Sequence, residues 1–252
     1  MSDMTDIAFV QEALRLTQAA KDRNLTLRTM GATAIRIHCT EFAKMHEALG
    51  RNITDLDFVG PSKQTNQLVE MLAEIGYPMN RSARYRMALV GRYIFENPSF
   101  HADLFFDELK WNHTVDLRNR LSLDFPTITV SDLLLEKMQI VRINEKDIKD
   151  AIVMLREHPI ADHDNECVNG SYVADILAAD WRFYYTFTTN LSKVETFTQK
   201  YEQLSQEDRK DVTSKIASLR QMIEKKPKSL GWKLRARTGT SAKWYREVDE
   251  FT

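Results

Sequence analysis

"GRNITDLDFVG", residues 50–60, is the stretch that decides the fold. Asp55 and Asp57 stand one residue apart among Leu56, Phe58 and Val59, and Pro61 follows the closing glycine. The apolar alternation bounded by Gly and Pro reads as a β-strand. Residues i and i+2 of a strand leave the same face, with Cα atoms about 6–7 Å apart. Both acids therefore share one face, and Leu56 and Phe58 pack the other. Carboxylates that close repel each other, and one takes up a proton unless a cation lies between them. A hard divalent cation answers the repulsion, and Mg²⁺ favours such oxygen ligands. A calcium loop does not fit, because Val59 and Asn66 fall where an EF-hand needs an oxygen ligand and a glutamate. An Asp-x-Asp alone is also common on a solvated strand edge, so the flanking sequence has to discriminate.

Upstream, "RTMGATA" (residues 28–34) reads as a strand-to-helix turn with a small Gly31-Ala32 step. The N-terminus of the following helix offers backbone N–H groups to a phosphate. Downstream, "FHADLFFDEL" (residues 100–109) alternates and is rich in strand formers. Asp103 on that strand would sit beside Asp55 and Asp57 if the two strands are neighbours. Asp107, near the end of the run, reads as a turn residue, and His101 as a packed or edge histidine. Three carboxylates, a phosphate-binding turn and a metal describe phosphoryl or nucleotidyl transfer.

The rest of the chain supplies the frame. Residues 5–21 carry apolar positions at helical spacing. Helices are expected over 32–50, ending at Gly50, and over 62–77, with Ser62 as N-cap and Gly76 near the end. "YRMALVGRYIFEN" (85–97) is strand-like. "PTITVSDLLLEKMQIVRI" (126–143) suggests a strand and then a helix capped by Ser131, and Asn144 caps the next helix. Strands and helices mixed in this way mean α/β or α+β. The polar segment "HPIADHDNECVNG" (158–170) marks a change of character, after which helices dominate. The expected domains are 1–160, mixed, and 161–252, mostly helical. The aromatic cluster Trp181, Phe183, Tyr184, Tyr185 and Phe187 reads as helix–helix core.

Composition is that of a soluble globular chain, at 43% hydrophobic and 28% charged over 252 residues. A net charge of −1 gives no whole-protein field for nucleic acid or membrane. Two cysteines are too few for a disulfide framework, so a reducing cytoplasm is the expected setting. The acidic N-terminus does not resemble a signal peptide, and no apolar run approaches the ~20 residues that span a bilayer. His38-Cys39 lacks a second pair at zinc-ligand spacing. The tail "KKPKSLGWKLRARTGTSAKWYRE" (225–247) is locally basic, with Trp232, Trp244 and Tyr245 interleaved. It suits a single-stranded nucleic acid, or it packs its tryptophans on the helical part with its lysines solvated.

Taken in order, "MGATA", "GRNITDLDF", "HADLFF" and "LLLEKMQIVRINEKDIKDAIVML" resemble the nucleotidyltransferase-fold superfamily. Within it, the likeness is to the AbiEii-type toxin and antibiotic-nucleotidyltransferase-like group, over about residues 25–156. The resemblance implies a nucleotidyltransferase-like mixed sheet with flanking helices. It further implies an NTP co-substrate with Mg²⁺ (or Mn²⁺), two ions bound at Asp55, Asp57 and Asp103, with Asp103 as third ligand or general base. Gly31 and Ala32 would hold the triphosphate by backbone, and Arg51 would steady the corner or contact phosphate. Lys137 would reach a phosphate, and Asp150, or Asp147 with Lys146, would complete the site. Read without the resemblance, Lys137 is a snorkelling surface lysine and "KDIKD" a solvated face with helical ion pairs.

Two departures stand out. Ala32 brings no hydroxyl where the family usually has Gly or Ser, and the gap from Gly31 to Asp55 is longer than in compact members. The expected activity is transfer of NMP from an NTP to a hydroxyl with release of pyrophosphate. A small-molecule or protein acceptor is favoured over RNA because of the neutral net charge. The alternatives are a non-catalytic nucleotide- or RNA-binding module on the same scaffold, or a toxin-like enzyme acting on a tRNA end.

Overall fold

The computed structural model of the chain describes residues 2–79 and 91–248. The chain forms two compact units, each built from separated segments. The first comprises Met1–Thr40, Asn52–Leu109 and Asp116–Thr129; the second comprises Glu41–Arg51, Lys110–Val115 and Val130–Thr252. No helix among the described residues is long and apolar enough to cross a membrane.

The first unit is a small mixed sheet with helices packed against it. Strands β1 (Arg28–Met30), β2 (Leu56–Gly60), β3 (Arg92–Glu96) and β4 (His101–Phe106) lie in the order β1-β2-β4-β3. β2 and β4 run parallel, whereas β1 and β3 are antiparallel to their neighbours. Helix α1 (Ser2–Asp22) buries Phe9, Ala13, Leu16 and Ala20, one face at a spacing of three and four. These join Leu56, Phe58, Ala102 and Leu104 from the sheet in one apolar cluster. Leu56 and Phe58 thus occupy the packed face, as the strand alternation requires.

Helix α2 (Gly31–His38) follows β1 directly. The sequence expectation of one helix over 32–50 is corrected: α2 stops at His38, and a separate helix α3 (Ala43–Ala48) belongs to the second unit. The start of α3 is held from far along the chain. The Glu41 and Phe42 backbone N–H groups donate to the Glu157 carboxylate at 3.0 and 2.7 Å. Ser62 is not a cap. Residues Ser62–Gln64 form a 3₁₀ turn, α4 runs from Thr65 to Glu74, and the Ser62 N–H donates to Asp107 at 2.9 Å. Gly76 does end this helix with a positive φ of 97°. Asp107 is a turn residue with φ 61°, directly after β4. Residues 85–90 of the strand-like run lie outside the described residues, and β3 accounts for the remainder. The short strands β5 (Glu108–Lys110) and β6 (Thr114–Asp116) lie where the chain passes between the units.

The second unit is helical. Its helices after α3 are α5 (Val130–Met138), α6 (Glu145–Glu157), α7 (Gly170–Ala179), α8 (Trp181–Lys200), α9 (Gln206–Lys225) and α10 (Leu230–Thr238). Asn144 caps α6 as expected, its side chain accepting from the Asp147 N–H. Ser131, by contrast, lies inside α5, and its hydroxyl accepts the Asn169 N–H at 2.8 Å. The expected strand before α5 reduces to a single bridge between Thr29 and Thr127 in the first unit. The polar segment 158–170 lies within the second unit and forms the parallel pair β7 (Ile160–Ala161) and β8 (Val168–Asn169).

Trp181, Phe183 and Phe187 are buried, in keeping with the reading of the aromatic cluster as core. The tail folds into α10, which composition did not reveal. Trp232 donates from Nε1 to the Leu177 carbonyl at 3.0 Å and meets Tyr184 edge-on. Arg235 lies over Trp181, and Trp244 packs on Tyr185. The tail tryptophans are thus engaged with the helical unit.

Candidate functional site

The site in the first unit is built by strand register. Met30, Asp57, Asp103 and Ile94 lie side by side on β1, β2, β4 and β3. Neighbours across a sheet share a face, so the Asp57 and Asp103 carboxylates project together. Asp103 is only 3% exposed, and Asp57 is half-buried. Asp55 precedes β2 by one residue, and its backbone carbonyl accepts the Thr33 hydroxyl of α2 at 3.3 Å. The approach to Asp55 is fixed by Asp6, whose carboxylate takes the Ile53 N–H at 3.0 Å and pairs with Arg36 of α2 at 2.7 Å.

Gly31 opens α2 with φ +67°. A β-carbon on Gly31 would lie 2.4 Å from Asp57 Oδ2, so the carboxylate rests against the start of the helix. Glycine is required there twice over, by backbone conformation and by space. Met30, at the N-cap position, gives α2 no side-chain hydrogen bond. Ala32, in the first turn, is buried.

Among the described residues, Arg92 on β3 brings a cation to the acids. Its Nη2 donates to Asp103 Oδ2 at 2.6 Å. Burial alone would lower the guanidinium pKa, but the hydrogen bond to Asp103 and the charges of Asp103, Asp57 and Asp55 raise it. His101 Nε2 lies 3.4 Å from Asp103 Oδ1 and its Nδ1 3.3 Å from Glu96. Two atoms stay unmatched. Asp103 Oδ1 and Arg92 Nε are buried and have no hydrogen-bond partner among the described residues. The sequence held a signal for Arg92: in "GRYIFE" it alternates with Tyr93 and Phe95. What the sequence lacked was the pairing of Ile94 with Asp103 that turns Arg92 toward the acids.

The other expected site residues fall in the second unit. Arg51 forms a bidentate pair with Asp150, 2.9 Å at each oxygen. Lys137 Nζ lies 3.2 Å from Asp147, 3.5 Å from Asp150 and 3.5 Å from Glu136. The surface reading of Lys137 is corrected, since the side chain is buried in this cluster. Burial would lower the ammonium pKa; Glu136, Asp147 and Asp150 together overcome that and raise it, with Arg51 opposing. Lys146 is exposed on α6, apart from the buried cluster. The helical ion-pair part of the "KDIKD" reading holds for Lys149, half-buried and paired with Glu145 at 2.9 Å, and the solvated-face part fails for Asp150, which is 1% exposed.

Gly31, Ala32, Asp55, Asp57 and Asp103 are therefore gathered in one unit, and Arg51, Lys137 and Asp150 in the other. Comparison with family models, with curated proteins and with solved structures finds no match to this chain.

Proposed function

We propose that this chain is a metal-dependent nucleotidyltransferase that moves NMP from an NTP to a hydroxyl acceptor, on a nucleotidyltransferase-like sheet in its first unit. The observation that carries the reading is the register Met30–Asp57–Asp103, with Gly31 against Asp57. It joins a helix start to paired carboxylates on two adjacent parallel strands. The donor set suits a hard divalent cation, Mg²⁺ or Mn²⁺: carboxylate oxygens, one of them a buried Asp103 oxygen that accepts no hydrogen bond among the described residues.

Asp55, Asp57 and Asp103 would hold the ion. When bound, such an ion supplies Lewis-acid stabilisation of charge on phosphoryl oxygens. The chain's own groups do the rest. The first turn of α2 would bind triphosphate oxygens by backbone N–H, for which no hydroxyl at position 32 is needed. Arg92 fixes Asp103 by Oδ2 and leaves Oδ1 to the ion. Arg51 and Lys137 are met in their own buried cluster by Asp150, Asp147 and Glu136, so this reading gives them no phosphate. A small-molecule or protein hydroxyl remains the favoured acceptor, because the tail tryptophans that would stack RNA bases are engaged within the protein.

The test is nucleotide binding by calorimetry with and without Mg²⁺, paired with pyrophosphate release from each NTP. Metal-dependent binding that is lost in Asp57→Asn, with the fold retained, is the expected result. Absence of any metal-dependent nucleotide binding in the wild type would remove the proposal. Binding without pyrophosphate release across acceptor classes would favour a non-catalytic module.

A further inference from the structure

The second unit carries a groove of its own, whose reading does not depend on the acid site. We propose that this groove, between α8 and α9, binds a small phosphorylated molecule rich in hydroxyls, of the sugar-phosphate class, with Arg209 and Lys210 on the phosphate.

The groove has a volume of about 560 Å³, within the roughly 300–1,000 Å³ of small-molecule sites. Gln206, Arg209, Lys210, Thr213 and Ser214 line it from α9, and Gln199 faces them from α8. The α9 residues recur at helical steps of three and four, so they share one side of that helix. Gln199 Nε2 donates to Thr213 Oγ1 at 3.1 Å and ties the two walls together.

The charge of the groove is of one sign. Among the described residues, two cations line it and no carboxylate does. The acids in the first half of α9 are drawn elsewhere: Glu207, Asp208 and Asp211 meet Arg156 of α6 at 3.7, 2.7 and 3.6 Å. Lys210 is exposed and has no described carboxylate within ion-pair distance. Arg209 is anchored by Nη2, which donates to the Tyr201 carbonyl at 2.9 Å. A neutral carbonyl fixes the guanidinium in place without cancelling its charge. A planar fork beside a compact ammonium suits phosphate oxygens.

The remaining lining decides what the phosphate is attached to. Gln199, Gln206, Thr213 and Ser214 bring amides and hydroxyls, which both donate and accept and so match the hydroxyls of a sugar. No described aromatic ring lines the groove, so a nucleobase has nothing to stack on, which disfavours a single-stranded nucleic acid.

The test is calorimetry on the full chain with glucose 6-phosphate, glucose and inorganic phosphate. Glucose 6-phosphate should bind saturably, one per chain; inorganic phosphate should bind several-fold more weakly, and glucose not measurably. Lys210→Met, at an exposed position, should keep the fold and weaken glucose 6-phosphate binding by about tenfold. Lys233→Met, at an exposed lysine of α10, should leave it unchanged. No saturable binding of either phosphate compound, or binding that Lys210→Met does not weaken, would overturn the site. Equal loss in Lys210→Met and Lys233→Met would do the same, by reducing the effect to overall charge. Inorganic phosphate binding as tightly as the sugar phosphate would overturn the ligand class, as would a single-stranded oligonucleotide that displaces glucose 6-phosphate at lower concentration.

Discussion

Gly31→Ala puts the geometry of the site under direct strain. The added β-carbon would arrive 2.4 Å from Asp57 Oδ2, well inside van der Waals contact, and the backbone there has φ +67°. A left-handed alanine costs about 1–2 kcal/mol. Relieving the overlap by pushing the carboxylate aside adds about 1–3 kcal/mol, the usual range for overpacking. The sum is about 2–5 kcal/mol. Gly76→Ala is the matched control: its φ is also positive, at 97°, but nothing lies within 4 Å of the added carbon. It should lose only the backbone part, about 1–2 kcal/mol. Urea denaturation of both variants measures the difference, and Mn²⁺ titration measures the site. Under the proposed function, Gly31→Ala should weaken Mn²⁺ binding by displacing Asp57, whereas Gly76→Ala should leave it unchanged. Equal destabilisation by the two substitutions, with metal binding intact in both, would refute the contact between the helix start and the aspartate.

Two further outcomes follow from groups in the second unit. Burial lowers the His113 imidazole pKa from its ordinary 6.5 to about 4; Asp180 opposes this, and Arg246 and Arg182 reinforce it. On acidification the unfolded chain is protonated first, so His113 contributes stability above pH 6.5 that is lost as pH falls to about 4, up to about 3 kcal/mol. Denaturation midpoints across that window should fall less steeply in His113→Gln than in the wild type, and parallel slopes would contradict the assignment. Lys137→Met removes a buried cation from beside Asp147, Asp150 and Glu136, and should cost about 3–5 kcal/mol in urea denaturation. Lys146→Met, on the exposed side of α6, should stay within about 0.5 kcal/mol of wild type; a Lys137→Met chain as stable as that would mean the cluster contributes nothing.

What was legible in the sequence is what short-range periodicity encodes. Asp57 against Leu56 and Phe58, Asp103 against Ala102 and Leu104, and a glycine between strand and helix all depend on residues a few positions apart. What was not legible depends on partners far along the chain. Ser62 and Ser131 have the chemistry of N-caps, but the groups that meet them come from Asp107 and Asn169. The break between α2 and α3 is stabilised by Glu157, 115 residues beyond Phe42. Lys137 was misread for a related reason. Every residue of α5 is buried, so that helix has no polar stripe on which a surface lysine could lie. The Arg92 contact needed a strand pairing, and pairing is the part of a sheet that composition does not carry.

The interleaving of the two units has a consequence during synthesis. Arg51 lies four positions before Asp55, in a segment that belongs to the second unit, and its buried partner Asp150 follows 99 residues later. At about 5–20 residues per second on the ribosome, Arg51 emerges roughly 5–20 s before the carboxylate that neutralises it. Over that interval β2, β3 and β4 have all left the ribosome, and the acid-bearing sheet can close while residues 41–51 hang from it as a tethered loop without their packing partners. The nascent chain would carry this loop until α6 appears, which makes residues 41–51 the natural place for a chaperone or a protease to act on an unfinished molecule.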